Sequence, residues 1–244
     1  MHEVQLDVCG ADSQGAIGYA LQQNLQNELY LRGIKKAVCT VITQVLVDKN
    51  DPAFQKPSKP IGGFMNEVEA KQKEKDLSWN VVEDAGRGWR RVVASPIPQE
   101  VVELDTVKAL IQAGVIVVTV GGGGIPVVDD GSGNYIGIAS VIDKDFASSL
   151  LAREINADLF LISTAVEKVA INFGKPNQEW LDHMTLADAK RYLAEGTHFA
   201  KGSMAPKMQA IIWYLEAGGK ESLITNPENI GRALRGETGT RITP

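Results

Sequence analysis

Four successive glycines, Gly121 to Gly124, end an apolar run from Val115 to Val120, and an Ile142-Asp143-Lys144-Asp145 cluster follows shortly after. Without Cβ atoms, such a loop can take positive φ and turn its N–H groups toward an oxyanion at the end of a buried strand. The same run can also be a tight, close-packed turn. A lysine between two aspartates offers charge neutralisation beside an organiser of positive groups, while Asp143 or Asp145 can equally cap a helix beginning there. Lys144 at the positive end of a helix dipole is locally unfavourable, and its presence makes more sense if a bound phosphate compensates it. The order strand, anion cradle, charged cluster points toward phosphate chemistry.

Phosphoryl transfer needs positioning and positive groups on the moving phosphoryl, with little covalent work for the protein. Isolated cations near glycine turns are therefore the residues to collect. Lys207 follows Gly202-Ser203-Met204-Ala205-Pro206 at the start of a helix, where a phosphate can sit or where the lysine is simply solvated. Lys59 lies in a Pro- and Gly-rich segment, and Arg87, between Gly86 and Gly88, has the form of an oxyanion clamp on a turn. Each alone is more often surface charge than catalyst. No G-x-x-x-x-G-K-[ST] occurs, and no G-x-G-x-x-G follows a strand with an acidic partner, which disfavours P-loop and Rossmann classes.

The elements that must hold these residues alternate. Ile17, Leu21, Leu25 and Leu29 recur at four-residue steps, predicting an amphipathic helix over Gln14 to Leu31 that Gly33 ends. Val38 to Val47 reads as a strand, Asp51 to Phe64 as irregular, and Glu67 to Asp76 as a solvated helix. Val81-Val82 and Arg90 to Val93 are expected to pair around Gly86-Arg87-Gly88, which makes residues 54–95 a small excursion. Helices over Glu100 to Ala113 and Lys144 to Ile155 alternate with strands over Val115 to Val120 and Leu159 to Ser163. Helices over Leu186 to Glu195 and Met204 to Ala217 and a short strand over Glu221 to Thr225 complete the chain. This pattern predicts an α/β fold with a parallel sheet covered by helices. Ligands then collect outside the strand carboxyl ends, where Gly121 to Gly124 and Thr164-Ala165 fall.

At 244 residues and 44% hydrophobic, the chain suits one large domain or two small ones. A formal charge of -5, with no basic tract, argues against a nucleic-acid partner. Cys9 and Cys39 read as reduced core thiols, which favours the cytoplasm. His2, His183 and His198 are scattered, so no protein-held metal is expected. A magnesium ion held by a nucleotide would leave no such trace. Met1 to Asp7 lacks the charge and apolar pattern of a leader, and no segment approaches the ~18 apolar residues of a membrane span, so a soluble protein without membrane partners is expected.

Six blocks carry a resemblance. Lys59-Pro60-Ile61-Gly62, the stretch Glu83 to Arg90, Gly121 to Val127, Val141 to Ala147, Ile171 to Pro176 and Gly202 to Lys207 together resemble carbamate kinase, in order and with similar spacing. The resemblance implies a three-layer α/β sandwich with an open, mostly parallel central sheet. It implies a single amino-acid-kinase-like domain over residues 1–244 with a protruding subdomain at 54–95, and a homodimer using the Gln14 to Leu31 helix. It further implies the reversible reaction ATP plus carbamate to ADP plus carbamoyl phosphate with Mg²⁺, serving ATP formation in arginine deiminase fermentation. Lys144 and Lys207 would neutralise the moving phosphoryl, Asp145 would orient lysines, and Lys59 and Arg87 would close over carbamate or its phosphate. Gly121, Gly122, Gly123 and Gly124 would cradle the reacting oxygens. Thr164, Ala165 and Val166 with Ile171, Asn172 and Phe173 would line the nucleotide, as would Met204 and Lys207.

The chain departs from the pattern in lacking a first strand ending in Gly-Gly-Asn-Ala and a later Gly-Asn-Gly-Pro-Gln-Val-Gly loop. It is therefore read as N-terminally truncated, with Met1 internal to a longer frame or beginning a shortened product. Loss of a central strand would expose apolar surface and unpaired backbone and remove half of the cradle. The rival reading is a catalytically silent homologue that folds, dimerises or only binds nucleotide. An acetylglutamate- or glutamate-type kinase is a third, because the phosphoryl-transfer parts overlap.

Overall fold

Helix α1 (Leu6–Leu31) starts ahead of the expected Gln14 and buries a different stripe from the one its apolar row suggests. Residues at strict four-residue steps drift by about 40° per step around a helix of 3.6 residues per turn. Leu25 and Leu29 thus reach the part-buried side, while Ile17 and Leu21 remain 60% and 53% exposed. The fully buried positions are Gln14 and Gly18. Gln14 Oε1 accepts the Thr43 N–H at 2.8 Å and its Nε2 donates to the Thr43 carbonyl at 3.0 Å. Gln22 Oε1 accepts the Thr40 N–H at 2.8 Å. A Cβ on Gly18 would collide with the Thr40 side chain, so glycine there lets the helix approach closely enough for its glutamines to satisfy backbone groups beside a strand.

The computed structural model describes residues 4–84, 86–200 and 202–244; Met1 to Glu3, part of the stretch read as lacking a leader, lie outside them. The strand expected over Val38 to Val47 is two pieces, β1 (Val38–Thr40) and β2 (Gln44–Val47). Thr43 interrupts them, with its Oγ1 2.7 Å from Thr119 Oγ1 and accepting the Val120 N–H at 3.0 Å. Next come β3 (Lys59–Met65), α2 (Glu67–Leu77), β4 (Asn80–Glu83) and β5 (Trp89–Val93), whose strands form a separate antiparallel sheet in the order β3-β5-β4. Lys59 to Phe64, expected to be irregular, belongs to a strand because it lies at an edge. Pro60 needs no donor on the open side, and Gly62 at φ 67° accommodates a register shift between Ile61 and Met65. Val82 pairs with Arg90.

A strand, β6 (Pro98–Val101), occupies the start of the helix expected from Glu100, leaving α3 as Leu104–Gln112. After β7 (Ile116–Val118), β8 (Ile125–Asp129) and β9 (Tyr135–Gly137), α4 (Lys144–Glu154) begins. β1 pairs in parallel with β7 and β2 with β8, with β6 and β9 as antiparallel flanks. Contacts divide the chain into two compact units, Met1–Ala147 and Ser148–Pro244, and the boundary falls within α4.

The second unit contains β10 (Phe160–Ser163), β11 (Val169–Ile171), β12 (Glu179–Leu181), β13 (His183–Thr185), α5 (Leu186–Glu195) and α6 (Met204–Glu216). It ends with β14 (Ser222–Thr225), α7 (Ile230–Leu234) and β15 (Thr240–Thr243). Its sheet runs β10-β14-β15-β13, with β10/β14 and β13/β15 parallel. α5 starts where Thr185 and Asp188 make a reciprocal capping box and stops at Gly196, φ 67°. α6 is the buried helix of this unit: Met208, Ile211 and Tyr214 pack in a core that also holds Leu223, Ile224 and Ile242. The fold is α/β, with no closed barrel among the described residues. Cys9 is exposed and Cys39 half-buried, so the expectation of two core thiols is corrected: α1 turns Cys9 to the outside. No described helix is long and apolar enough to cross a membrane.

Candidate active site

The glycine run follows β7 through Val120, itself held at φ 63°. The Val120 carbonyl accepts the N–H groups of Gly123 at 3.0 Å and Gly124 at 2.6 Å, so the second half of the run is a tight turn. Gly121 and Gly122 are exposed, and their amides meet no acceptor among the described residues. Gly123, at φ 135°, lies on the Ile142 carbonyl, where a Cβ would collide with the oxygen. The loop thereby rides over the peptide that starts α4.

Asp143 is the cap of that helix. Its Oδ1 accepts the Asp145 N–H at 2.9 Å and its carbonyl accepts the Ala147 N–H at 3.0 Å. Its Oδ2 accepts from Lys59 Nζ at 2.6 Å, which ties the start of β3 to the start of α4. Burial pushes the Asp143 carboxyl up, but the Lys59 hydrogen bond and charge, the Asp145 amide and the Lys144 charge outweigh it and hold the group below the usual carboxylate range. Lys144 itself points outward, its side chain 60% exposed and its Nζ 3.9 Å from Asp145 Oδ2, whereas Asp145 is buried. Arg87 is not drawn to this point. It stays on its hairpin, donating to Asp84 at 2.8 Å and stacking 5.2 Å from the Phe64 ring centre, with Arg90 also beside Asp84 and Phe64.

In the second unit, Thr164, Ala165 and Val166 follow β10, the Thr164 N–H donating to the Thr225 carbonyl at 2.8 Å. Ala165, Val166, Glu167, Lys168 and Trp180 line a cavity of about 470 Å³. Phe173 meets Trp180 edge to face, with ring centres 6.1 Å apart. Ile171 is the last residue of β11, and Asn172 turns the chain at φ 54°. Met204 opens α6, and Lys207 is buried one turn in. Sequence reasoning passed over Trp180, which carries no motif, and treated Asp143 only as a cap or organiser. Its partnership with Lys59 spans 84 residues and has no local signal. Among the described residues no group of three or more His, Cys, Asp and Glu side chains gathers to hold a metal ion.

Two open amides, a helix N-terminus and a lysine ammonium at one junction make a surface suited to an oxyanion. The profile of the amino acid kinase family matches residues 21–226. Carbamate kinase-like protein YahI of Escherichia coli is 56% identical over 235 residues, 96% of this chain and 74% of its own length. Carbamate kinase of Thermococcus kodakarensis is 50% identical over 237 residues, 97% of this chain and 75% of its own. The solved structure of carbamate kinase from Giardia lamblia bound to AMP-PNP superposes with a TM-score of 0.90 at 43% identity, covering 100% of this chain and 77% of that one.

Proposed function

The chain belongs to the amino acid kinase family, within its carbamate kinase branch, and on that premise we propose that it catalyses ATP + carbamate = ADP + carbamoyl phosphate, forming ATP in arginine fermentation in the cytoplasm. The observation that carries this reading is the junction at Ile142-Asp143, where the glycine loop crosses the α4 N-terminus and Lys59 arrives from β3. The open amides of Gly121 and Gly122 receive the reacting oxygens, with Gly123 and Gly124 holding the turn. Lys59 meets the carbamoyl or phosphoryl oxyanion; Arg87, on the same small sheet, closes over it from its hairpin. Lys144 and Lys207 neutralise the transferring phosphoryl, and Asp145 orients them. The cavity of Ala165, Val166 and Trp180, with Thr164, Ile171, Asn172, Phe173 and Met204, receives the nucleotide, which brings Mg²⁺ on its phosphates.

The exposed Ile17 and Leu21 on α1 support a homodimer through that helix. Residues 1–244 work as one kinase domain, with 54–95 as its protruding subdomain.

The test is ATP formation from ADP, Mg²⁺ and carbamoyl phosphate, read by a coupled luciferase assay. We expect turnover that carbamate inhibits and that neither glutamate nor acetylglutamate affects. Lys207→Ala should lower kcat by about 10²-fold or more, the scale of removing one charge-stabilising donor, while the melting temperature stays within a few degrees. A folded chain that forms no ATP overturns the reading, and near-normal turnover in Lys207→Ala removes that lysine from the chemistry.

A further inference from the structure

The buried Asp143 carboxylate does more than a helix cap requires. One oxygen, Oδ1, takes the Asp145 N–H and completes the cap. The other faces Lys59 Nζ at 2.6 Å, on a side chain still 31% exposed. An ammonium has three N–H bonds. Asp143 takes one, and no other acceptor of Lys59 is present among the described residues. Lys59 sits at the first position of an edge strand, in register with Val93, so its backbone is held by one neighbour only. A long side chain on such a strand loses much rotamer freedom when it captures an anion.

We propose that Asp143 is a positioning residue for the phosphoryl-transfer site: it fixes the Lys59 ammonium in advance where the glycine loop crosses the start of α4, leaving two N–H bonds for an anionic substrate. The identity of that anion as carbamoyl phosphate or carbamate rests on the function proposed above. The arrangement itself does not. Pairing takes the loss of rotamer freedom before the substrate arrives, and the pair's net neutrality lets Lys59 wait beside a buried carboxylate without an uncompensated charge. A cap needs only an oxygen acceptor, which asparagine supplies, whereas holding an ammonium needs the charge. Asp143→Asn therefore separates the two duties.

Steady-state kinetics on wild type, Asp143→Asn, Lys59→Met and the double variant test the idea. Asp143→Asn should raise KM for carbamoyl phosphate roughly tenfold, as for loss of one charge-assisted hydrogen bond, and leave KM for ADP unchanged. The double variant should be no worse than Lys59→Met. Normal kinetics in Asp143→Asn, equal loss for both substrates, or additive losses in the double variant would overturn it.

A second readout needs no turnover. Acetylation by a water-soluble acetyl ester, followed at Lys59 by peptide mass spectrometry, should run roughly fivefold faster in Asp143→Asn, as for loss of a partly exposed ion pair. Inorganic phosphate should slow it in the wild type. Equal labelling rates sink the proposal even if ATP is formed. A chain that forms no ATP yet shows the rate difference refutes the assigned reaction while leaving the Asp143–Lys59 relation standing.

Discussion

Asp143 shows how one carboxylate can serve helix and lysine together, and its protonation has a predictable cost. Because its folded-state pKa lies below the ordinary carboxylate value, its contribution to stability is complete above the unfolded value of about 4 and is lost as pH falls through the folded one. Urea unfolding of wild type and Asp143→Asn should therefore differ by about 1 kcal/mol at pH 6, with the gap closing below pH 4. A gap that widens toward acid would show that the carboxylate is raised instead. The residue types here were legible: a lysine in a Pro-Gly segment and an aspartate ahead of a helix invite attention. Their partnership was not, since the two lie 84 residues apart and nothing local couples them. Arg87 teaches the converse, for its place between glycines was visible while its hold on Asp84 and Phe64 depends on how the hairpin folds.

At the scale of elements, the glycine run separates into positions with different duties. Gly123 at φ 135° cannot carry a Cβ without striking the Ile142 carbonyl oxygen, whereas a Cβ on Gly122 would meet open space. Gly123→Ala should cost roughly 3 kcal/mol through strain and displacement of the α4 start, and Gly122→Ala should stay within about 0.5 kcal/mol, both measured by denaturant unfolding. Equal effects would mean that the loop is not seated on Ile142. The same contrast runs through the other elements. The charged run of α2 and the helical pattern of α5 were placed closely, because caps such as Asn66 and the Thr185/Asp188 pair act within a single turn. Composition misled at Lys59 to Phe64, since prolines and glycines that forbid a central strand are tolerated at an edge, and edge position is a property of the sheet.

For the whole molecule, α1 poses the assembly question. Its glutamine stripe is used on Thr40 and Thr43, which leaves Ile17 and Leu21 facing outward. Multi-angle light scattering should find a dimer that Ile17→Glu with Leu21→Lys dissociates, with far-UV circular dichroism unchanged; a monomeric wild type would reject that interface. By itself, the sequence determined the α/β class, the direction toward phosphoryl transfer and the family, because hydrophobic periodicity, glycine runs and motif order are written in neighbouring residues. Only the tertiary structure decided which face of α1 is buried, which two glycine amides stay open and which aspartate holds Lys59. Those choices are made by packing between segments far apart in the chain, where satisfying one buried backbone group or one buried charge selects a partner that no local pattern specifies.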